Sequence, residues 1–283
     1  MSEPTRAVTP DHKYGSLTKS LDIDETLMLL SLAHELGSAS TFKKEGLARL
    51  TQTSRVRRQE ILRLTLHKFL TTEGDQIVAT PLLRILVNPS VESVLKRQVL
   101  YVQYLRSTPL VWDAVAQIVL PQAQASNPAT DGTRRGELQI EDWNGFLTRK
   151  LRMYTPATLS RTRRHITAHL TKFGVLEAEQ VEGNAIAKRF YARLTEPDPK
   201  AFLFGLAAEF DDHGWTSRAL DWVMVNSWAR IAFCTSPTYV RFAVEQGEHL
   251  GLVIPEYFGS QRQVTLMGSD PVAKVAEVLL QHP

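Results

Sequence analysis

The pentapeptide Ser-Arg-x-Arg-Arg stands twice in this chain, as Ser54-Arg55-Val56-Arg57-Arg58 and as Ser160-Arg161-Thr162-Arg163-Arg164. Both copies are expected at the front of the last helix before a turn-rich run that suits a small hairpin, which suggests a repeated module. Before the first copy, Asp22 or Asp24 caps a helix running to about residue 36. Leu27, Leu30 and Ala33 or Leu36 recur along it at helical spacing, and Gly37 stops it. A second helix is expected over 41–50 and a third from 51–54 to 70. Glu73, Gly74 and Asp75 then supply a turn, and 76–79 an extended run. Helix, helix, basic helix, hairpin is the order of a winged helix-turn-helix.

Helical spacing resumes over 90–105 and 109–120, where Pro109 suits a first turn, and these helices are expected to brace the first module. Residues 121–136 hold two prolines, two glycines and almost nothing apolar larger than alanine, which reads as a mobile linker. Beyond it the order recurs. A helix is expected over 140–151 and another from Thr155, where Thr155 caps and Pro156 takes the first position. Leu159, Ile166, Leu170 and Phe173 form its apolar stripe, with Arg161, Arg164, His165 and Lys172 opposite and Gly174 at its end. Two extended runs around Glu182, Gly183 and Asn184 match the first hairpin. The last third is expected to carry helices over 199–210, 218–233 and 237–250, a hairpin from GLVIPEYFG and QVTLM, and a helix from Pro271.

The expected fold class is therefore mainly α, with tandem winged-helix-like modules, small β-hairpin wings and a helical C-terminal region. The expected division is a flexible 1–19, a module with bracing helices over 20–120, the linker 121–136, and a module with a helical extension over 137–283.

A chain of 283 residues with 43% hydrophobic and 22% charged side chains has ordinary globular composition. No apolar run reaches the roughly 20 residues of a membrane span, since even 222–234 contains Asn226 and Arg230. Cys234 stands alone, so neither an internal disulfide nor a cysteine-based zinc site is available. With the polar start MSEPTRAVTP, a reducing cytoplasm is the expected location.

Net charge is only +3, but it is unevenly placed. Residues 43–68 carry eight Lys or Arg against Glu45 and Glu60, and residues 143–176 carry seven and no acid. Two basic islands in a nearly neutral chain point to local anionic contacts. Arginine suits both parts of duplex recognition, taking two acceptors on guanine and neutralising phosphate. The expected DNA contacts are Arg55, Arg57, Arg58, Arg161, Arg163 and Arg164, with Lys43, Lys44, Arg149 and Lys150 as auxiliary phosphate contacts. The competing reading is a solvated helix start, and arginine there opposes the macrodipole.

Catalytic signatures are absent: no Walker motif, dinucleotide fingerprint or nucleophile elbow. No catalytic residue, metal or cofactor is expected. His165 and His169 lie four apart but lack a third ligand, and read as surface or polar-face histidines. Asp211, Asp212 and His213 read as a helix end, Glu196-Pro-Asp198-Pro-Lys200 lacks the strand that would position a metal, and Cys234 reads as a packed small hydrophobe. Trp112, Trp143, Trp215, Trp222 and Trp228 are expected in the core. Tyr154 beside Arg152 is the one pairing suggestive of single-strand stacking.

The acidic-started helix with Glu25, the basic segment over 54–66, the Trp143/Phe146/Leu147 element, the Ser160 basic helix and Gly174-Val175-Leu176 together resemble the BrxA family. Its members are small components of BREX bacteriophage-exclusion systems. The resemblance covers roughly residues 14–266, with 121–136 reading as an insertion. It implies a helical or winged-helix nucleic-acid-binding accessory protein that acts beside a DNA methyltransferase and other defence proteins, without catalysis of its own. The expected partner is double-stranded DNA, with no membrane. A protein-interaction adaptor and a helix-turn-helix transcription regulator, with its operator and symmetric dimer, are the alternatives.

Overall fold

In the computed structural model, which describes residues 22–52, 54–125, 136–181 and 188–281, Asp22 accepts the Glu25 amide at 3.1 Å and starts α1 (Ile23–Leu36). Gly37 closes that helix at φ 66°, a left-handed conformation that glycine adopts without steric cost. Ser38 caps α2 (Ala39–Arg49) and Ser54 caps α3 (Arg55–Phe69), after which Gly74 turns β1 (Thr71–Glu73) into β2 (Gln76–Val78). Thr80 and Pro81 then start α4 (Pro81–Val87), a helix not among those expected from the sequence, and α5 (Ser93–Arg106) follows.

Next come α6 (Pro109–Ala114), a π-helical stretch (Val115–Val119) and α7 (Leu120–Ala125). The expected linker therefore begins helical, with Ala123 buried, and ends on the strand β3 (Gly136–Glu137), while 126–135 lie outside the described residues. The chain continues through α8 (Ile140–Lys150), α9 (Pro156–Lys172), β4 (Leu176–Gln180) and β5 (Lys188–Ala192). Residues 182–187, where a hairpin turn is expected, also lie outside the described residues. Then α10 (Pro199–His213) leads to β6 (Ser217–Ala219), α11 (Leu220–Asn226), α12 (Trp228–Ala232), α13 (Pro237–His249), β7 (Val253–Phe258), β8 (Gln261–Leu266) and α14 (Pro271–Gln281). The single helix expected over 218–233 is broken because Ser227 leaves the helical conformation and caps α12 through the Arg230 amide at 3.2 Å.

The chain is mainly helical with small antiparallel sheets, and one connectivity appears three times. Ser38 bridges β2, which pairs with β1; β3 pairs with β5, which pairs with β4; β6 and β7 flank β8. In each case a helix precedes the first strand or bridge, further helices follow it, and two antiparallel strands close the sheet.

Two compact units form from segments that are not consecutive. The terminal unit comprises Leu21–Ser107, Asp198–Arg218 and Ala243–Pro283; the central unit includes Thr108–Pro197 and Ala219–Phe242. At the heart of the terminal unit every α10 residue from 201 to 210 is buried, and α10 packs on α5 and α14. A helix apolar on all sides needs neighbours on all sides. Arg106 of α5 grips Asp212 of α10 with two bonds, at 3.1 Å and 2.5 Å. In the central unit α8 packs on α9, and Trp143 meets Phe146 edge-on at 6.4 Å. Trp112 and Trp228 stack there at 5.1 Å. Of the five tryptophans Trp112 and Trp143 are buried, whereas Trp215, Trp222 and Trp228 are half-buried, as a ring that large often keeps part of its surface.

Cys234 is buried and has φ 51°, taking the left-handed position after α12 where glycine is usual. Burial pushes its thiol up to about 12, the nearby Arg230 opposing. Native protein at pH 8 is therefore expected to resist thiol reagents, labelling only as fast as it unfolds. Rapid stoichiometric labelling in native buffer would show the thiol is accessible.

Candidate nucleic-acid interface

The two arginine pentapeptides differ in helical position. Ser54 is the cap of α3, its Oγ accepting the Arg57 amide at 3.4 Å, so Arg55, Arg57 and Arg58 stand in the first turn. Ser160 lies inside α9, whose cap is Thr155, so Arg161, Arg163 and Arg164 stand beyond the first turn. The macrodipole penalty, confined to a terminal turn, therefore falls on the α3 arginines and spares those of α9.

On α9, Thr162, Ile166, Thr167, His169 and Leu170 are buried, while Leu159 and Phe173 are half-buried at the margins of the stripe. Arg161 and Arg164 are exposed, and Arg163 is half-buried on the flank. Arg149 and Arg152 are exposed at the end of α8 and the following turn. Lys150, expected as an auxiliary phosphate contact, has its Nζ 2.9 Å from Asp113, and both side chains are half-buried. His165 is half-buried and His169 buried, so His169 belongs to the packed face rather than the polar one, because its position falls beside Ile166 and Leu170. Their rings lie 6.4 Å apart.

The α3 set, in the terminal unit, is more encumbered. Arg57 pairs with the buried Glu60 at 3.3 Å, and Arg58 is half-buried with an unpartnered Nε. Arg55, Lys43 and Lys44 are exposed. Lys43, Arg63 and His67 line a cavity of about 460 Å³ between α2, α3 and the β1–β2 turn.

That turn is tied down rather than projecting. Asp75 accepts hydrogen bonds from Ser38 Oγ (2.6 Å), Ser40 Oγ (2.9 Å) and the Ser40 amide (2.8 Å), serving the open end of α2 as a second cap. The Ser38 bond first, then those from Ser40, hold its carboxyl below the usual carboxylate range. A depressed folded pKa means the stabilisation is complete above the unfolded value of about 3.9 and is lost as pH falls through the folded one. Asp75→Asn is thus expected to lower stability at pH 7 and to remove part of the acid-side loss below pH 4. A melting curve matching the native protein at both pH 7 and pH 3 would refute this tether.

Two cations outside the basic islands, Lys188 and Arg189 of β5, join Arg163 and Arg164 around a second cavity, of about 680 Å³, in the central unit. Lying on a strand beyond both charge runs, they give no helical periodicity to find them by. Asp211, Asp212 and His213 form the end of α10 as expected, with His213 Nδ1 2.8 Å from the Glu209 carbonyl. Among the described residues no three His, Cys, Asp or Glu side chains gather into a potential metal site, and no helix is long and apolar enough to cross a membrane.

No family model and no curated protein matches this sequence. Among solved structures the chain is similar to a magnesium ion-bound SspB crystal structure, with a TM-score of 0.60 and 13% identity, and to a second SspB crystal structure, with 0.58 and 14%. Each likeness covers 94% of this chain and 86% of the other. At that identity the likeness is one of fold: this chain has the fold of the SspB structures over nearly its whole length.

Proposed function

We propose that this protein is a non-enzymatic accessory protein of a phage-defence, BREX-like system that binds double-stranded DNA, with winged-helix-like modules as its scaffold. The observation that carries this reading is the exposed arginine face of α9. Arg161 and Arg164 are exposed on the side of the helix away from its buried residues, Arg149 and Arg152 are exposed just before it in the chain, and the segment from 143 to 176 contains seven cations and no acid. In a helix-turn-helix the helix before the wing enters the major groove while its predecessor crosses the backbone. In that geometry α9 reads and α8 braces, and Arg55, Lys43 and Lys44 supply a second, weaker phosphate-binding patch. Other defence proteins, a DNA methyltransferase among them, are the partners that the family resemblance suggests.

Duplex binding is expected to weaken linearly in log K against log salt, with single-stranded DNA and RNA bound less tightly. Absence of duplex affinity at 50 mM salt would overturn the reading. An adaptor reading is favoured by a different observation: Tyr257 and Phe258, at the end of β7, are 68% and 82% exposed. Exposed aromatics of that kind suit a protein partner. Under that reading Phe258→Ala abolishes capture of a defence-system protein while duplex binding stays negligible.

A further inference from the structure

We infer that the cavity of the central unit is a nucleotide site, one that accepts an aromatic base together with its phosphate. Its volume is about 680 Å³, within the roughly 300–1,000 Å³ of small-molecule sites. Its lining is divided by chemistry. Leu138 and Trp143 are buried and Phe190 half-buried, so the inner wall is apolar and partly aromatic. Arg164, Lys188 and Arg189 are exposed and Arg163 half-buried, so the cations stand toward solvent.

Glu137 and Glu141 also line it, and Glu137 pairs with Arg189 at 3.7 Å; the lining keeps a surplus of two positive charges. Gln139, Ile140 and Glu141 at the start of α8 line the same cavity, and Gln139 makes no side-chain cap to that helix. A bare phosphate leaves the apolar wall unfilled, and an uncharged aromatic leaves the cations unanswered. A nucleotide satisfies both.

The nucleotide has two sources, a free mononucleotide or an unpaired nucleotide of bound DNA. The second rests on the duplex-binding reading; the first does not. Calorimetric titration of the full chain with dAMP, deoxyadenosine and inorganic phosphate tests the first. One dAMP is expected per chain, with the nucleoside and phosphate each at least tenfold weaker. A duplex carrying a single-nucleotide bulge, compared with its fully paired counterpart, tests the second, with a tenfold preference expected if DNA is the source.

Ile140 also lines the cavity and is 54% exposed, so Ile140→Trp fills space without changing charge or a buried contact. It should abolish dAMP binding or bulge preference while the salt dependence on paired duplex stays as in the native protein. Lys188→Ala with Arg189→Ala should weaken dAMP at least tenfold. The inference falls if wild-type protein shows neither dAMP binding nor bulge preference, or if both variants leave such binding unchanged. Loss of paired-duplex affinity with dAMP binding intact would instead remove only the duplex reading.

Discussion

Changing Arg161 and Arg164 together to alanine is expected to flatten the log K against log salt slope on duplex DNA by nearly two units. Each phosphate contact contributes about 0.9 to that slope through released counterions. Both residues are exposed on α9, away from buried Ile166 and Leu170, so helix content and melting should stay unchanged. The companion change, Arg55→Ala with Arg57→Ala, should flatten it by only about one unit, because Arg57 is already held by Glu60. Arg163 is a poorer probe, since its half-buried stem mixes packing with charge. Duplex binding that survives both double changes with an unaltered slope would place the DNA on neither helix.

Much of the local structure was legible because its signals are local. Asp22, Gly37, Ser54, Thr155 and Gly174 all stand where caps and stops were expected, since a helix end is fixed by whichever nearby group satisfies its orphan amides or carbonyls. The helix α4 carries the same cue at Thr80-Pro81 that marks α9 at Thr155-Pro156, but it has only seven residues, too few to show a helical stripe after the extended run over 76–79. What sequence spacing could not carry was assembly across long separations. The terminal unit joins 21–107 to 198–218 and 243–283, and nothing in a periodic pattern says which distant helix will cover which stripe.

The candidate interface was legible as a list of cations and not as a set of free ones. Lys150 lies 2.9 Å from Asp113, and Arg57 lies 3.3 Å from Glu60. The first pairing spans 37 residues of sequence and gives no local sign. The second is an i, i+3 helical pair and could have been read directly. The offset of the two pentapeptides could also have been seen, because the cap at Thr155 already placed Ser160 inside its helix.

Phe210→Ala is expected to cost about 3–5 kcal/mol of stability. Phe210 is fully buried near the end of α10, and its ring meets Trp215 edge-on at 6.0 Å. Trp215 is itself stacked against His213 at 4.2 Å and carries the Arg218 guanidinium 3.7 Å from its ring centre. Removing the Phe210 ring therefore opens a cavity and withdraws one support of a half-buried aromatic stack, two losses that compound because the groups touch. Against a typical total of about 5–15 kcal/mol, such a loss brings the unit close to unfolding at ordinary temperature. Asp211→Ala, one residue on and exposed, should stay within about 0.5 kcal/mol. Urea unfolding followed by tryptophan fluorescence and by circular dichroism reads both variants. A Phe210→Ala loss below about 1 kcal/mol would mean that α10 is not the packed spine its burial describes, since truncating an enclosed aromatic cannot be so mild unless its neighbours collapse into the space.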